Sequence, residues 1–257
     1  MNGKTKPGPG TTERPILFNG AMVRAILEGR KTVTRRPVKG GQIPTECHDE
    51  IDPAFRWSAI GQHDRRYGFN VFGATEGECA RQLAEYGRCP YGLPGDRLWV
   101  RESTEADYDT SDAVVLSRYC ADKAPVMYWN DDDGDPIHAV EHWSYPRDVR
   151  PSIHMLRTHS RILLEITNVR VERLQEGEGE TPFESRYIAE GIHKIHHGDG
   201  EFYYHPLRSE PGPGNWADPF DAWRELWCAV NGSESWNANP WVWVVEFNRV
   251  APGEAAL

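Results

Sequence analysis

The residues best suited to chemistry in this sequence lie in one short basic segment. Between positions 24 and 36 a single acidic side chain, Glu28, stands against the basic residues Arg24, Arg30, Lys31, Arg35 and Arg36. Lys31 and Thr34 place an amine and a hydroxyl at the start of a predicted strand, where pockets commonly open. An ordinary charged helix end followed by a strand would account for the same residues. We therefore treat the basic segment as a candidate functional site.

The basic segment spans a short helix and a strand that the hydrophobic pattern predicts. Apolar residues recur at helical spacing from Ala21 to Leu27, and Gly29 is a typical helix stop. A short apolar strand precedes this helix at Pro15–Phe18, and an alternating, β-branched strand follows it at Lys31–Val38. The amine and the hydroxyl are therefore expected directly after the turn that joins helix to strand.

The remaining chain predicts further strands and three more helices. Strands are expected at 97–102, 126–129, 136–143, 160–173 and 240–247, and helices at 76–86, 182–190 and 218–230. The last strand is apolar along its whole length, which indicates burial on both faces. Helix 218–230 begins at Asp218 as N-cap and carries Trp223, Trp227 and Val230 on its apolar face.

The pattern favours one domain with two insertions. We expect a domain over residues 14–250, interrupted by loop-rich insertions at about 40–94 and 103–150. Residues 1–13 lack periodicity and are expected to form a flexible tail, as are residues 251–257.

Charge and hydropathy exclude several classes of protein. The 257-residue chain has 29 Lys and Arg residues against 39 Asp and Glu residues, and its formal net charge is −10. This balance argues against a surface that is basic everywhere, but it leaves a local nucleic-acid site open. No apolar run approaches the roughly 18 residues of a membrane span, and the N-terminal residues lack the apolar region of a signal peptide. With five scattered cysteines, we expect a cytoplasmic protein in a reducing compartment and no membrane partner.

Several motifs resemble cofactor or metal sites but lack a defining feature. Gly29-Arg30-Lys31-Thr32 lacks the glycine that precedes the lysine of a P-loop. His138-Ala139-Val140-Glu141-His142 has the spacing of a zinc peptidase, but a strand would place Glu141 opposite the two histidines. The histidines at 193, 196 and 197 lie in a polar loop, and the acidic run 131–135 lacks the order of EF-hand ligands. We expect neither a metal nor a cofactor.

The order of motifs along the chain resembles the ASCH domains, a branch of the PUA-like superfamily. Gly29-Arg30-Lys31-Thr32-Val33-Thr34-Arg35-Arg36 is similar to the signature G-x-K-x-x-(E/T)-x-R, and Ala189-Glu190-Gly191 resembles the end of the expected helix. Cys89-Pro90-Tyr91-Gly92 and Pro151–Met155 further resemble the larger ASCH proteins carried by bacteriophages and prophages. The resemblance implies an α+β fold, with a mixed β-barrel of about six strands, flanking helices and two loop-rich insertions.

The resemblance also implies an activity and its residues. A small bacterial ASCH enzyme hydrolyses the acyl amide on the exocyclic amine of acetylated cytidine, and its functional residues correspond to Lys31, Thr34 and Glu190. Lys31, desolvated among arginines, would accept the proton of the Thr34 hydroxyl as that hydroxyl attacks the amide carbonyl. Glu190 would handle the proton on the leaving amine. The residues expected to bind substrate or nucleic acid are Arg24, Arg30, Arg35 and Arg36.

Two alternatives to an enzyme stay open. One is a non-catalytic module that reads a nucleic acid or an extruded base, with arginines on phosphates and aromatic rings stacked on bases. The other is an accessory protein of phage assembly, which rests only on the kind of genome that carries such sequences. The predicted partner is a nucleoside or a nucleic acid, RNA rather than DNA, in the cytoplasm of a bacterial host. The oligomeric state is not predicted.

Overall fold

The computed structural model describes residues 11–48, 52–62, 68–130, 137–176 and 184–251. Most of the two expected tails and the acidic run 131–135 lie outside these ranges. Within them, no helix combines the length and the apolar character needed to cross a membrane.

The fold is α+β and rich in strands, as the sequence predicts. The helices are α1 (Gly20–Leu27), α2 (Glu76–Tyr86), α3 (Glu184–Ile188), α4 (Pro219–Asn231) and α5 (Ser233–Asn237). The strands are β1 (Glu13–Leu17), β2 (Val33–Pro37), β3 (Thr45–Glu46), β4 (Trp57–Gln62), β5 (Gly68–Gly73), β6 (Arg97–Arg101), β7 (Thr104–Asp107), β8 (Leu116–Tyr119), β9 (Met127–Asn130), β10 (Ile137–Val140), β11 (Val149–Arg150), β12 (Leu163–Arg173), β13 (His193–His196), β14 (Phe202–His205) and β15 (Trp241–Arg249).

The largest sheet has five strands in the order β1-β6-β12-β15-β2. β1 pairs with β6 in parallel, whereas β12 pairs with β6 and β15 with β2 in antiparallel fashion. The four strands predicted at 31–38, 97–102, 160–173 and 240–247 therefore belong to one sheet, as expected.

The structure does not show the predicted mixed β-barrel of about six strands. Closure requires the first and last strands of the order to hydrogen-bond to each other. In the part of the chain that the structure describes, β1 and β2 are the two ends of a five-stranded order and no pairing joins them. The barrel therefore stays a prediction.

The chain divides into two compact units, each assembled from segments that are distant in sequence. The first unit comprises Met1–Gly29, Arg97–Glu165 and Arg249–Leu257, and the second comprises Arg30–Asp96 and Ile166–Asn248. The single domain over 14–250 and the boundaries of its insertions stay a prediction.

In the first unit, a buried ion pair helps to hold the core. Arg161 donates to both carboxylate oxygens of Glu102 at 2.9 Å, and it also donates to Asp122. Its guanidinium lies 3.8 Å from the centre of the Tyr119 ring. Tyr119 packs in turn against Val126 and Met155. Because each charge has a partner, this group satisfies the main requirement for burying ions in a core.

The expected hairpin in the first unit is present. β9 and β10 pair in antiparallel fashion, with His138 opposite Trp129. The segment that matches the zinc-peptidase spacing therefore contains no helix: its first three residues lie in β10, and His142 forms an isolated bridge with Leu116.

In the second unit, α4 and β15 supply most of the aromatic core. The side chain of Asp218 caps α4 by accepting from the N–H of Phe220 at 2.7 Å, as the sequence predicts. Trp223 and Trp227 are buried with their ring centres 5.6 Å apart. β15 is buried on both faces from Trp241 to Val245. Val230 differs from its prediction, because it lies in the last turn of α4 and is exposed.

The segment 40–94 contains a small sheet that the sequence does not predict. β3, β4 and β5 pair in antiparallel fashion, and α2 has the predicted bounds. α2 packs against β5, and Cys79 is one of the buried residues of the helix. A Cβ atom on Gly73 would lie only 2.5 Å from the backbone nitrogen of Cys79, so the close approach of helix and strand requires glycine at position 73.

The hairpin β13–β14 ends in a buried histidine whose charge state is set by its contacts. His205 accepts the backbone N–H groups of Leu207 and Arg208 on Nδ1, at 3.0 and 3.1 Å. Both bonds require an unprotonated Nδ1. Burial lowers the pKa of His205, Glu225 opposes this effect and Arg208 adds to it.

We expect His205 to make the protein less stable in mild acid. A histidine in the unfolded chain takes up a proton near pH 6.5, about its ordinary pKa, whereas folded His205 does so only at lower pH. The unfolded state therefore binds more protons once the pH falls below about 6.5, and the free energy of unfolding declines. His205→Gln should lose less thermal stability than wild type between pH 7 and pH 5. His48→Gln, at an exposed position, is the control, and equal losses in all three proteins would contradict the prediction.

Candidate functional site

Backbone pairing brings Glu190 to the start of β2. α1 ends before Gly29, whose φ of 76° lies in the left-handed region that favours glycine. Beyond it, Lys31 forms an isolated antiparallel bridge with Glu190. The N–H groups of Thr32 and Val33 both donate to the carbonyl of Ala189, at 2.9 and 3.1 Å. Two segments that are 159 residues apart in sequence thus meet at this point.

Lys31 and Glu190 form a buried ion pair. The Nζ atom of Lys31 lies 2.7 Å from Oε2 of Glu190, and the two side chains are 0% and 2% exposed. Nζ also donates to the carbonyl oxygens of Val33 at 2.7 Å and of Glu190 at 3.0 Å. An ammonium group has three N–H donors, and these three acceptors are enough to satisfy them all.

The surroundings of Lys31 act on its proton affinity in both directions. Burial has the largest effect and lowers the pKa of Lys31 below its ordinary value. The carboxylate of Glu190 opposes that effect, while the charges of Arg36 and Arg35 lower the pKa of Lys31 further. Glu190 is therefore the group that favours the ammonium form of Lys31, against the effects of burial and of the two arginines.

Arg35 links this ion pair to a second carboxylate. Its Nη1 donates to Oε1 of Glu190 at 2.9 Å, and its Nε and Nη2 donate to Oε1 of Glu172 at 3.3 and 3.1 Å. Only 1% of the Arg35 side chain is exposed. We call Lys31, Arg35, Glu172 and Glu190 the buried charge cluster. Its two positive and two negative charges balance, which reduces the cost of burying them.

A second layer of charges surrounds Glu172. Arg170 donates from Nε to Oε2 of Glu172 at 2.8 Å, and it also hydrogen-bonds to Glu246. Nη1 of Arg186 lies 3.9 Å from the same oxygen of Glu172. These outer side chains are about a quarter to a third exposed, so the charges continue from the buried charge cluster toward solvent.

Thr34 is buried but lies apart from the ion pair. It is 3% exposed and sits beside Arg35 in β2, opposite Val245 of β15. Successive side chains of a strand point to opposite faces, so Thr34 and Arg35 face different sides of the sheet. Among the described residues, no hydrogen bond joins Thr34 to Lys31 or Glu190. The structure thus joins two of the three predicted catalytic residues, and Thr34 as nucleophile stays a prediction.

The other predicted binding arginines lie in different surroundings. Arg30 is partly buried and donates to the carbonyl of Gly191. Arg36 is partly buried. It lies near Tyr91, where burial raises the pKa of the phenol and the charge of Arg36 opposes that rise. Arg24 belongs to the first unit, where its Nη1 donates to the carbonyl of Ala121 at 2.7 Å. Arg35, by contrast, is hydrogen-bonded directly to Glu190 of the ion pair.

Sequence reasoning misses Glu172 and the role of Arg35. The run Arg170-Val171-Glu172-Arg173 has the alternation of an ordinary charged strand face. Nothing in that pattern indicates that Glu172 is 7% exposed and contacts Arg35. An available signal is that Glu172 and Arg170 share a face of β12 by their spacing of two.

His193 and His196 lie on β13 and not in the polar loop that the sequence predicts. His197 stacks on Tyr203 with 4.1 Å between ring centres, and its Nε2 lies 2.8 Å from Nδ2 of Asn215. Within the described ranges, no group of three or more His, Cys, Asp or Glu side chains is arranged to hold a metal ion.

The chain matches no family model, no curated protein and no solved structure. The buried charge cluster therefore has to be interpreted from its own geometry and chemistry.

Proposed function

We propose that this chain is a PUA-like protein of the ASCH type that recognises a nucleobase, as a nucleoside or within RNA, in the cytoplasm of a bacterial host. The observation that carries the proposal is the 2.7 Å ion pair between Lys31 and Glu190. Both residues follow from the resemblance in sequence, and they meet although 159 positions separate them. An amine beside a carboxylate offers both a donor and an acceptor to the polar edge of a base, provided that the base displaces one of the internal contacts of the pair.

The most specific version of the proposal is hydrolysis of an N-acylated cytidine-like base. The Thr34 hydroxyl attacks the acyl carbonyl and gives its proton to neutral Lys31. Because Thr34 faces the side of the sheet opposite Arg35 and, among the described residues, has no hydrogen bond to Lys31, this transfer requires a bridging water or a shift of one side chain. The C–N bond then breaks, Lys31 returns the proton to the exocyclic amine through Glu190, and water releases the acyl group from Thr34 as a carboxylic acid. A lowered pKa of Lys31 supports this role, because it makes the neutral amine more accessible near pH 7. Hydrolysis also requires a substrate to displace at least one of the three acceptors that Nζ contacts.

A non-catalytic reader is the second candidate, and one observation favours it. The Lys31 side chain is 0% exposed and has three acceptors within hydrogen-bonding distance, as expected of a fixed charge. In that case the pair shapes the site, and partly buried Arg30 and Arg36 contact phosphate. The formal net charge of −10 favours a single-nucleotide site over a long basic groove.

Two variants separate these candidates. Lys31→Arg keeps a positive charge, but a guanidinium stays protonated at any relevant pH and cannot act as a base. For an enzyme we expect Lys31→Arg to slow release of acetate from N-acetylated cytidine by at least ~100-fold, with nucleoside affinity changed little. Thr34→Val, which keeps the β-branched shape, should also stop release.

Lys194→Arg is the matched control, because Lys194 is exposed and lies over the Phe202 ring at 4.4 Å. Denaturation midpoints of all variants show whether each one is folded. Wild-type rates in folded Lys31→Arg would contradict a catalytic role for Lys31. Salt-dependent RNA binding without turnover would identify the reader instead.

A further inference from the structure

We propose that Arg35 and Glu172 are positioning residues for the Lys31–Glu190 pair, with Arg35 fixing the second oxygen of Glu190 and Glu172 neutralising Arg35. This inference rests on the proposed function of the pair. Arg35 occupies a variable position of the signature segment and Glu172 lies outside it, so neither assignment follows from the sequence resemblance.

The carboxylate of Glu190 is held at both oxygens by different cations. Lys31 contacts Oε2 at 2.7 Å and Arg35 donates to Oε1 at 2.9 Å. The carboxylate cannot turn about its terminal bond without breaking one of these contacts. Arg35 therefore fixes the orientation of the Glu190 carboxylate relative to Lys31.

Arg35 is itself fixed on several sides. Two of its nitrogens donate to Oε1 of Glu172, and the Tyr187 and Trp223 ring centres lie 5.9 and 5.5 Å from its Cζ. The planar guanidinium presents its donors to both carboxylates in one rigid arrangement. A lysine at this position would keep the charge and lose the bridge.

The same contacts set the electrostatic field at Lys31. In the described part of the chain, Glu190, Arg35 and Arg36 act on Lys31, and Arg35, Arg170 and Arg186 contact Glu172. Glu172 compensates the positive charge of Arg35, which otherwise disfavours the ammonium form of Lys31. Loss of Arg35 and loss of Glu172 should therefore change the pKa of Lys31 in opposite directions.

The experiment is an NMR titration of the Lys31 side chain in protein with isotope-labelled lysine. The chain has six lysines. The signal that is missing from the spectrum of Lys31→Arg is therefore that of Lys31. Relative to wild type, the titration midpoint should move to higher pH in Arg35→Met and to lower pH in Glu172→Gln. Glu76→Gln is the matched control, since it removes a 2.6 Å ion pair with Arg173 and should leave the midpoint unchanged.

If Arg35 and Glu172 only stabilised the fold, the two variants would not move the Lys31 titration midpoint in opposite directions. Midpoints that move in the same direction in both variants, or in neither, would overturn the proposal. Should either variant fail to fold, Arg35→Met/Glu172→Leu removes two opposite charges together, and its midpoint should stay near that of wild type; a displaced midpoint would also overturn the proposal. The titration needs no substrate, so a wild type that neither binds nor hydrolyses nucleosides would refute the proposed function and leave this test intact.

Discussion

Glu190→Ala is expected to lower the free energy of unfolding by about 3–5 kcal/mol. The substitution leaves the Lys31 ammonium buried with no carboxylate, and it removes one of the two carboxylates that contact Arg35. An uncompensated charge with 0% exposure must either stay desolvated or lose its proton, and both alternatives cost free energy. Urea denaturation at pH 7 measures the change.

A double-mutant cycle separates the lost ion pair from the lost packing. Lys31→Met alone should also destabilise, because it leaves Glu190 and Glu172 against Arg35 as the only remaining cation of the buried charge cluster. The pair Lys31→Met/Glu190→Leu removes both charges and should recover much of the stability lost in either single variant. Strictly additive losses would contradict a direct interaction between Lys31 and Glu190.

Trp227→Ala is the second large effect, with an expected loss of about 3–5 kcal/mol. The ring is 2% exposed, packs against Trp223 with ring centres 5.6 Å apart, and donates from Nε1 to Oγ of Ser235 at 3.2 Å. Truncation removes this volume from the aromatic core of the second unit and leaves a cavity.

Ser235→Ala is the control for the hydrogen bond alone, and it should cost only about 0.5–1.5 kcal/mol. Denaturant midpoints and slopes give both values. An unchanged midpoint in Trp227→Ala would show that the ring contributes no core packing and is available for a partner instead.

The regular elements could be predicted because local patterns determine them. α2 has its predicted bounds, and α4 lies within one residue of its prediction, since each combines apolar residues at helical spacing with an N-cap side chain, Thr75 or Asp218. β15 could be predicted from its unbroken apolar run, which only a doubly covered strand tolerates.

The buried charge cluster could be predicted only in part, because its contacts are non-local. Arg35 is buried against carboxylates that lie 137 and 155 residues away in sequence, and no local pattern contains that information. β2 also lacks alternation, since Val33, Thr34 and Arg35 are all buried. Burial of three consecutive residues hides which face of β2 carries the chemistry.

Two features of the fold could not be predicted from local sequence: the pairing at the edges of the five-stranded sheet, and the small sheet within residues 40–94. Whether an edge strand closes a barrel depends on the register of distant strands, which the sequence of β1 or β2 does not specify. β4 and β5 bury few large side chains: Ala59 and Val71 are their buried apolar residues, and both strands contain glycine. Their strand pattern is therefore weak, although α2 packs against them.

The most direct measurement for the central claim is calorimetric titration of wild-type protein with N-acetylated cytidine, with acetate measured in the same samples. We expect wild-type protein to bind the nucleoside saturably. Binding should be weaker in Glu190→Gln, because that substitution removes the negative charge that holds Lys31 in place. Release of acetate in the same samples would show that the protein also hydrolyses the acyl amide. Absence of both binding and release, for N-acylated nucleosides and for RNA oligonucleotides alike, would contradict the claim that the Lys31–Glu190 pair recognises a nucleobase.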